Sequence, residues 1–264
     1  MPQMGQESEL TSEQFTQLIQ GLDTGKGVFL ADVFDVGGGP LVRGGGPDSA
    51  VVDLLRPMLH QRGTVTVDVL DAHEPGRRLT TWLSCGGILH AIPSPTGTVV
   101  LRVEPYGTLY RMLIDAARLQ DRPALPNLSP VGVRRTDVTP EQWSSEEGRR
   151  EACTRIAQSL PTELAEVASA LEAGEAALVT VAARWASCAG LQDAEMAWLS
   201  TPAGLLVHEV QQGFLRGHHE LDTEHPGWMW LRLLDRLPTA DDLQNWQEDA
   251  EPPADIEGRF ETGA

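Results

Sequence analysis

Apolar and polar side chains alternate without a break from Thr64 to Val69, with Val65, Val67 and Val69 on one side and Thr64, Thr66 and Asp68 on the other. That period of two predicts a half-buried antiparallel strand over 64–70. Apolar runs bounded by Gly, Pro or polar turns predict further strands at 28–34, 79–84, 88–92 and 98–104. Elsewhere the period lengthens to that of a helix. Phe15, Leu18, Ile19 and Leu22, behind Thr11 and Gln14, predict a first helix that stops near Gly25. Val52, Leu55, Met58 and Leu59 predict a second, bent at Pro57 and ended by Gly63, and Leu109, Met112, Leu113 and Ala116 a third over 106–120.

The second half of the chain repeats this order. Strands are predicted at 176–185, 196–200, 205–210 and 228–234, with 211–227 as a long polar connection. A charged helix over 140–159 opens at Thr139 and Gln142, another carries Leu164, Val167, Ala168 and Leu171 and closes at Gly174, and Thr239 with Asp242 caps a last one carrying Leu243 and Trp246. One phrase occurs twice. Trp82-Leu83-Ser84-Cys85-Gly86 leads into Ile88-Leu89-His90, and Trp198-Leu199-Ser200-Thr201-Pro202-Ala203-Gly204 leads into Leu206-Val207-His208, with the turn two residues longer in the second copy. The expectation is an α/β protein of the α+β type. Two pseudo-twofold-related halves, each a mostly antiparallel sheet covered by helices, would form two sheets or one continuous sheet. The halves are expected at 1–120 and 140–247, joined by a linker at 121–139 that holds three prolines and no periodicity, with an acidic disordered tail at 248–264.

Composition narrows the partners. With 41% hydrophobic and 22% charged residues in 264, the chain has enough apolar side chains for a sizeable core. Its 38 acidic and 20 basic residues give a net charge of −18, which repels phosphate backbones and anionic bilayers and so argues against nucleic acid and membrane insertion. Cys85, Cys153 and Cys188 form no Cys-x-x-Cys spacing, and the first residues carry no apolar segment. Both features point to the cytosol.

Four groups could carry chemistry. The glycine-rich stretch 37–47 precedes a helix, but it lacks a Walker lysine and a Gly-x-Gly-x-x-Gly fingerprint, and Asp48 stands where a phosphate would approach. His218, His219, Glu220, Asp222, Glu224 and His225 are the densest set of metal-ligand types, yet without His-Glu-x-x-His spacing, and they read as a solvated loop. Cys85 and His90 offer a thiol and an imidazole with no third group to orient them, and His90 and His208 read as determinants of the sheet. Among the seven tryptophans, Trp82, Trp198, Trp228 and Trp230 fall in predicted strands, where they pack a core or make a docking platform. No catalytic, cofactor or metal site is expected.

The alternating strand 64–70, Arg78-Leu79-Thr80-Thr81 with the Gly86-Gly87 turn, the strand 98–104 running through Pro105 into a helix, and Ala197-Trp198-Leu199-Ser200-Thr201-Pro202-Ala203-Gly204 together resemble the EspG family. The resemblance spans about residues 12–246. It implies a cytosolic, non-enzymatic type VII secretion chaperone of two similar α/β halves, which binds the tip of a secreted helical PE–PPE pair, keeps it soluble and directs its export. It also implies contacts from the loop between the second and third strands, here His73, Glu74, Arg77 and Arg78, and from the central sheet and C-terminal helices, here Trp228 and Trp230. Two other classes remain: an acidic immunity or inhibitor protein that neutralises a basic toxin, and a metal-dependent enzyme using 218–225. Weak homodimerisation is left open.

Overall fold

The computed structural model describes residues 7–11, 42–43, 46–47, 61–71, 76–84, 87–94, 98–119, 122–187, 190–209 and 218–244. Its strands are β1 (Glu7–Thr11), β2 (Val42–Arg43), β3 (Gly46–Pro47), β4 (Gln61–Asp71), β5 (Arg77–Ser84), β6 (Gly87–Pro93), β7 (Thr98–Glu104), β8 (Val131–Arg134), β9 (Ala177–Ser187), β10 (Gly190–Thr201), β11 (Gly204–Glu209) and β12 (His218–Glu224). Its helices are α1 (Leu109–Ala116), α2 (Pro140–Trp143), α3 (Glu146–Ser159), α4 (Ala165–Glu172), α5 (Pro226–Arg236) and α6 (Ala240–Gln244). The helices expected around 11–25 and 48–60, the strand at 28–34, Cys85, Cys188, Trp246 and the acidic tail lie outside the described residues. Within the glycine stretch, β2 and β3 pair as a short separate hairpin.

Among the described residues, the other ten strands form one sheet in the order β1-β7-β6-β5-β4-β9-β10-β11-β12-β8. Every neighbouring pair is antiparallel. The order reads the same from either end if each strand of the first half is exchanged for its counterpart in the second. β4 and β9 meet at the centre, where Val67 faces Val181. A twofold axis normal to the sheet through that pair relates the halves. The alternative of two separate sheets is thereby settled in favour of one continuous sheet.

Cross-strand pairing assigns each side chain to a face. Val65, Val67, Val69, Leu79, Leu83 and Ile88 share the first face with Val179, Val181, Met196, Trp198, Leu205 and Val207, and α1 and α5 cover it through Leu109, Leu113, Met229 and Leu233. On the second face Leu178, Leu199, Leu206 and Leu221 are covered by Ile156, Val167, Leu171 and Trp143 of the helices between β8 and β9. Trp143 also donates its indole N–H to the Asp137 carbonyl at 2.8 Å, and the buried Asp137 carboxylate takes an ion pair from Arg155.

The two halves also meet through α1 and α5. Tyr110 and Trp230 pack edge to face with ring centroids 5.8 Å apart, and the Tyr106 and Tyr110 hydroxyls both donate to the Pro238 carbonyl. Burial raises the pKa of both hydroxyls, which keeps them protonated donors.

Pairing corrects the reading of the repeated phrase. Three hairpins are closed alike: Ser84, Ser187 and Thr201 donate to the carbonyls of Gly87, Gly190 and Gly204 at 2.9, 3.1 and 3.0 Å. Those glycines take φ of 141°, 105° and 147°, backbone that side chains avoid. The turns therefore have equal length, and no two-residue insertion exists. Trp82 pairs with Leu89, and the matching pair in the second half is Leu199 with Leu206. Trp82 and Trp198 consequently lie on opposite faces of the sheet, both buried, and so do His90 and His208.

Four further expectations change. Residues 228–234, expected as a strand, lie in α5, and the fourth strand of the second half is β12, from the stretch expected to be a polar loop. Residues 131–134 form an edge strand, β8, against β12. The helix expected over 140–159 breaks at Ser144 and Ser145, because Ser145 caps α3 by accepting from the Gly148 N–H at 3.1 Å. A Cβ on Gly148 would stand 2.2 Å from the Gln142 carbonyl oxygen, so the corner requires glycine. The first residues, read only as polar, supply β1, whose Leu10 is buried. None of the helices among the described residues is long and apolar enough to cross a membrane.

Candidate protein-docking surface

α5 is built by strong local signals. The His225 side chain accepts from the Gly227 N–H at 3.0 Å, Pro226 occupies the first turn, and Arg236 sits in the last. Met229 and Leu233 fall four residues apart and are fully buried on the first face. The opposite stripe at 228, 231 and 235 then faces outward. Trp228 is 63% exposed and Leu231 47%, the exposed large hydrophobic side chains among the described residues. An indole held in water forgoes roughly 2–3 kcal/mol that burial would give, and with Leu231 beside it the stripe is a candidate docking surface.

The pseudo-twofold supplies the control. Ile88 pairs with Glu104 and Leu205 with Glu224, which fixes the match of the two chains entering α1 and α5. Counting on from there, Leu109 corresponds to Met229, Tyr110 to Trp230 and Leu113 to Leu233. Thr108 corresponds to Trp228 and Arg111 to Leu231. The fold is satisfied by a polar side chain at both positions in one half. In the other half the same positions carry two apolar ones, side by side on a helix.

The residues expected to bind a partner separate into two groups. Trp228 and Trp230 share α5, but Trp230 is turned half-inward against Tyr110 and only Trp228 is presented. Leu231, which sequence reasoning did not single out, is its companion; the Met229, Leu233 and Leu237 spacing carried that signal. Arg77 and Arg78 are exposed at the start of β5, while His73 and Glu74 lie outside the described residues. The Arg78 guanidinium donates twice to the Asp68 carboxylate, at 2.6 and 2.8 Å, and this hydrogen bonding raises its pKa. Four strands stand between β5 and β12, from which α5 springs, a separation of roughly 24 Å at ~4.8 Å per ladder. The two groups are distinct patches near one end of the sheet.

Among the described residues the titratable side chains form no metal-binding group, and each candidate has its own surroundings. His90 is fully buried, with Nδ1 2.8 Å from the Thr81 hydroxyl and Nε2 without a partner among the described residues. Burial, helped by the Arg102 charge, lowers its pKa to about 3. His208 and His219 stack on the second face at 4.5 Å between ring centroids, with Nε2 of one against Nδ1 of the other. Burial and then His219 lower His208 to about 4, and burial and then Arg135 lower His219. No group of three or more His, Cys, Asp or Glu side chains that could hold a metal occurs among the described residues. Cys153 is buried and its thiol is pushed up to about 11, which removes the thiolate a nucleophile needs.

No family model matches the sequence, and no curated protein does. Among solved structures, the Mycobacterium tuberculosis type VII secretion system chaperone EspG5, in complex with the PE25–PPE41 dimer, matches at a TM-score of 0.46 and 13% identity, over 88% of this chain and 97% of that one.

Proposed function

We propose that this chain is a non-enzymatic adaptor that docks a secreted helical protein of the PE–PPE type in the cytosol, shields its apolar tip and hands it to a type VII secretion system. The observation that carries the reading is the outward stripe of Trp228 and Leu231, apolar where the pseudo-equivalent positions of α1 hold Thr108 and Arg111. A helix offering an aromatic and an aliphatic anchor one turn apart suits another amphipathic helix, which would bury both. The sequence resemblance points to the same class of partner. The β5 patch of Arg77 and Arg78, with His73 and Glu74 just before it in sequence, is assigned a second contact with the same client.

The test is coexpression with a PE–PPE-type helical pair from the same host. Wild type is expected to keep the pair soluble and elute with it, and Trp228→Ser with Leu231→Ser to lose it while melting as wild type does. Retention of the pair by that double variant would refute the docking surface, and retention by Arg77→Glu with Arg78→Glu would remove the β5 patch alone. The net charge of −18 keeps an inhibitor of a basic toxin as the second reading. It requires an association that collapses as salt shortens the Debye length from ~10 Å toward ~3 Å, whereas apolar docking survives.

A further inference from the structure

The outward stripe of α5 ends in a charge. Asp235 follows Leu231 by four residues and Trp228 by seven, so the three side chains lie along one line about 10 Å long. Asp235 is exposed and pairs with no cation among the described residues. Arg232, three residues before it, is drawn the other way, to the Glu224 carboxylate at 3.1 Å. The matching carboxylate of α1, Asp115, has Arg111 one turn before it; α5 holds Leu231 at that position. The exchange that creates the apolar pair also leaves no cation four residues before Asp235.

Building on the docking surface proposed above, we infer that its occupant is an amphipathic helix carrying a lysine or arginine about two turns from the residue that covers Trp228, and that Asp235 selects it. A partner laid along the stripe excludes water from the Asp235 carboxylate. An apolar or acidic residue there buries an unpaired charge, and a cation pairs with it instead. The acidic surface, at −18 overall, steers the same choice from a distance.

The experiment uses two labelled synthetic helices of about 18 residues, each with a leucine face and differing only in Lys or Glu two turns along that face from the leucine meant for Trp228. Anisotropy titrations of the full chain are expected to show the Lys peptide binding about tenfold more tightly. Asp235→Lys should invert the preference, and Asp115→Lys should leave it unchanged. Equal binding of the two peptides by wild type, or an unaltered preference in Asp235→Lys, overturns the inference while leaving the docking surface standing. Undiminished binding by Trp228→Ser with Leu231→Ser, or no binding of either peptide by wild type, overturns the surface and the inference with it.

Discussion

α1 and α5 occupy the same place in two halves of one sheet, and their buried faces agree where their outward faces in part diverge. Toward the sheet both present an aliphatic pair, Leu109 and Leu113 in one and Met229 and Leu233 in the other, all fully buried. At the axis both present an aromatic ring, and Tyr110 and Trp230 touch. Away from the sheet Asp115 and Asp235 still correspond, but Thr108 and Arg111 in one half stand where Trp228 and Leu231 do in the other. The buried positions held in common are those that packing demands. Positions that diverge are free to serve a partner, which is the role we propose for the outward pair of the second half.

The largest test of this division is on the shared positions. Leu113→Ala and Leu233→Ala should each cost about 2–5 kcal/mol, and each should unfold the whole molecule in one transition, because both side chains feed one core that crosses the axis. Two transitions in urea, one per half, would show that the halves are stabilised separately.

The next test uses a position where the halves diverge inside the sheet. His90 has Val207 as its counterpart, and its pKa of about 3 lies below the unfolded value near 6.5. Between those values the unfolded chain binds the extra proton, so stability is fully present above pH ~6.5 and is lost as pH falls toward 3. The slope is about 1.4 kcal/mol per pH unit from this group alone. Urea midpoints measured from pH 7 to 4 should fall less steeply in His90→Val by that amount, and His208, at about 4, should keep the remaining histidine slope.

Smaller still is the tie across the axis. Tyr110→Phe removes one of the two hydroxyls that reach the Pro238 carbonyl, at 3.1 Å, and should cost about 1 kcal/mol in chemical denaturation. No loss at all would mean that the Tyr106 hydroxyl alone satisfies that carbonyl. The smallest effect on stability is expected where the comparison matters most. Thr108→Trp with Arg111→Leu copies the α5 stripe onto α1 and should shift stability by no more than about 0.5 kcal/mol. The variant should bind a second equivalent of leucine-faced peptide in a titration. A single equivalent would show that the α5 surface needs more than its apolar pair.

Sequence alone revealed the elements whose two faces differ strongly. β4 showed itself through the alternation of Val65, Val67 and Val69, because one side of it packs more tightly than the other, and β7 through its apolar run 98–104, whose burial alternates in the structure. β12 stayed hidden because Leu221 is its one aliphatic side chain, and β1 because Leu10 is the one apolar residue among its five. Outer strands of a broad sheet need only one such anchor, since the ladder to a neighbour supplies the rest. The apolar run around Trp228 looked like a strand because its helical period is masked by the two outward apolar residues. Those residues are the proposed docking stripe, so the feature that defeats the pattern is also the one proposed to bind a partner. The repeated Trp phrase identified the duplication but mismatched it by one residue, which no composition argument could reveal. Only the hairpin pairing shows that Thr81, and not Trp82, stands where Trp198 does.

The central ladder has a consequence for how the chain is made. Thr66 hydrogen-bonds to the carbonyl of Ala182 across a separation of 116 residues. A ribosome adding 5–20 residues per second needs on the order of ten seconds to travel that far. Throughout that interval β4 has been synthesised with β5 to pair on one side and its other edge open, its valines ready to meet any strand that passes. The protein we propose as a guardian of another's exposed surface thus begins its own life with one, covered only when the second half of the chain emerges and closes the sheet.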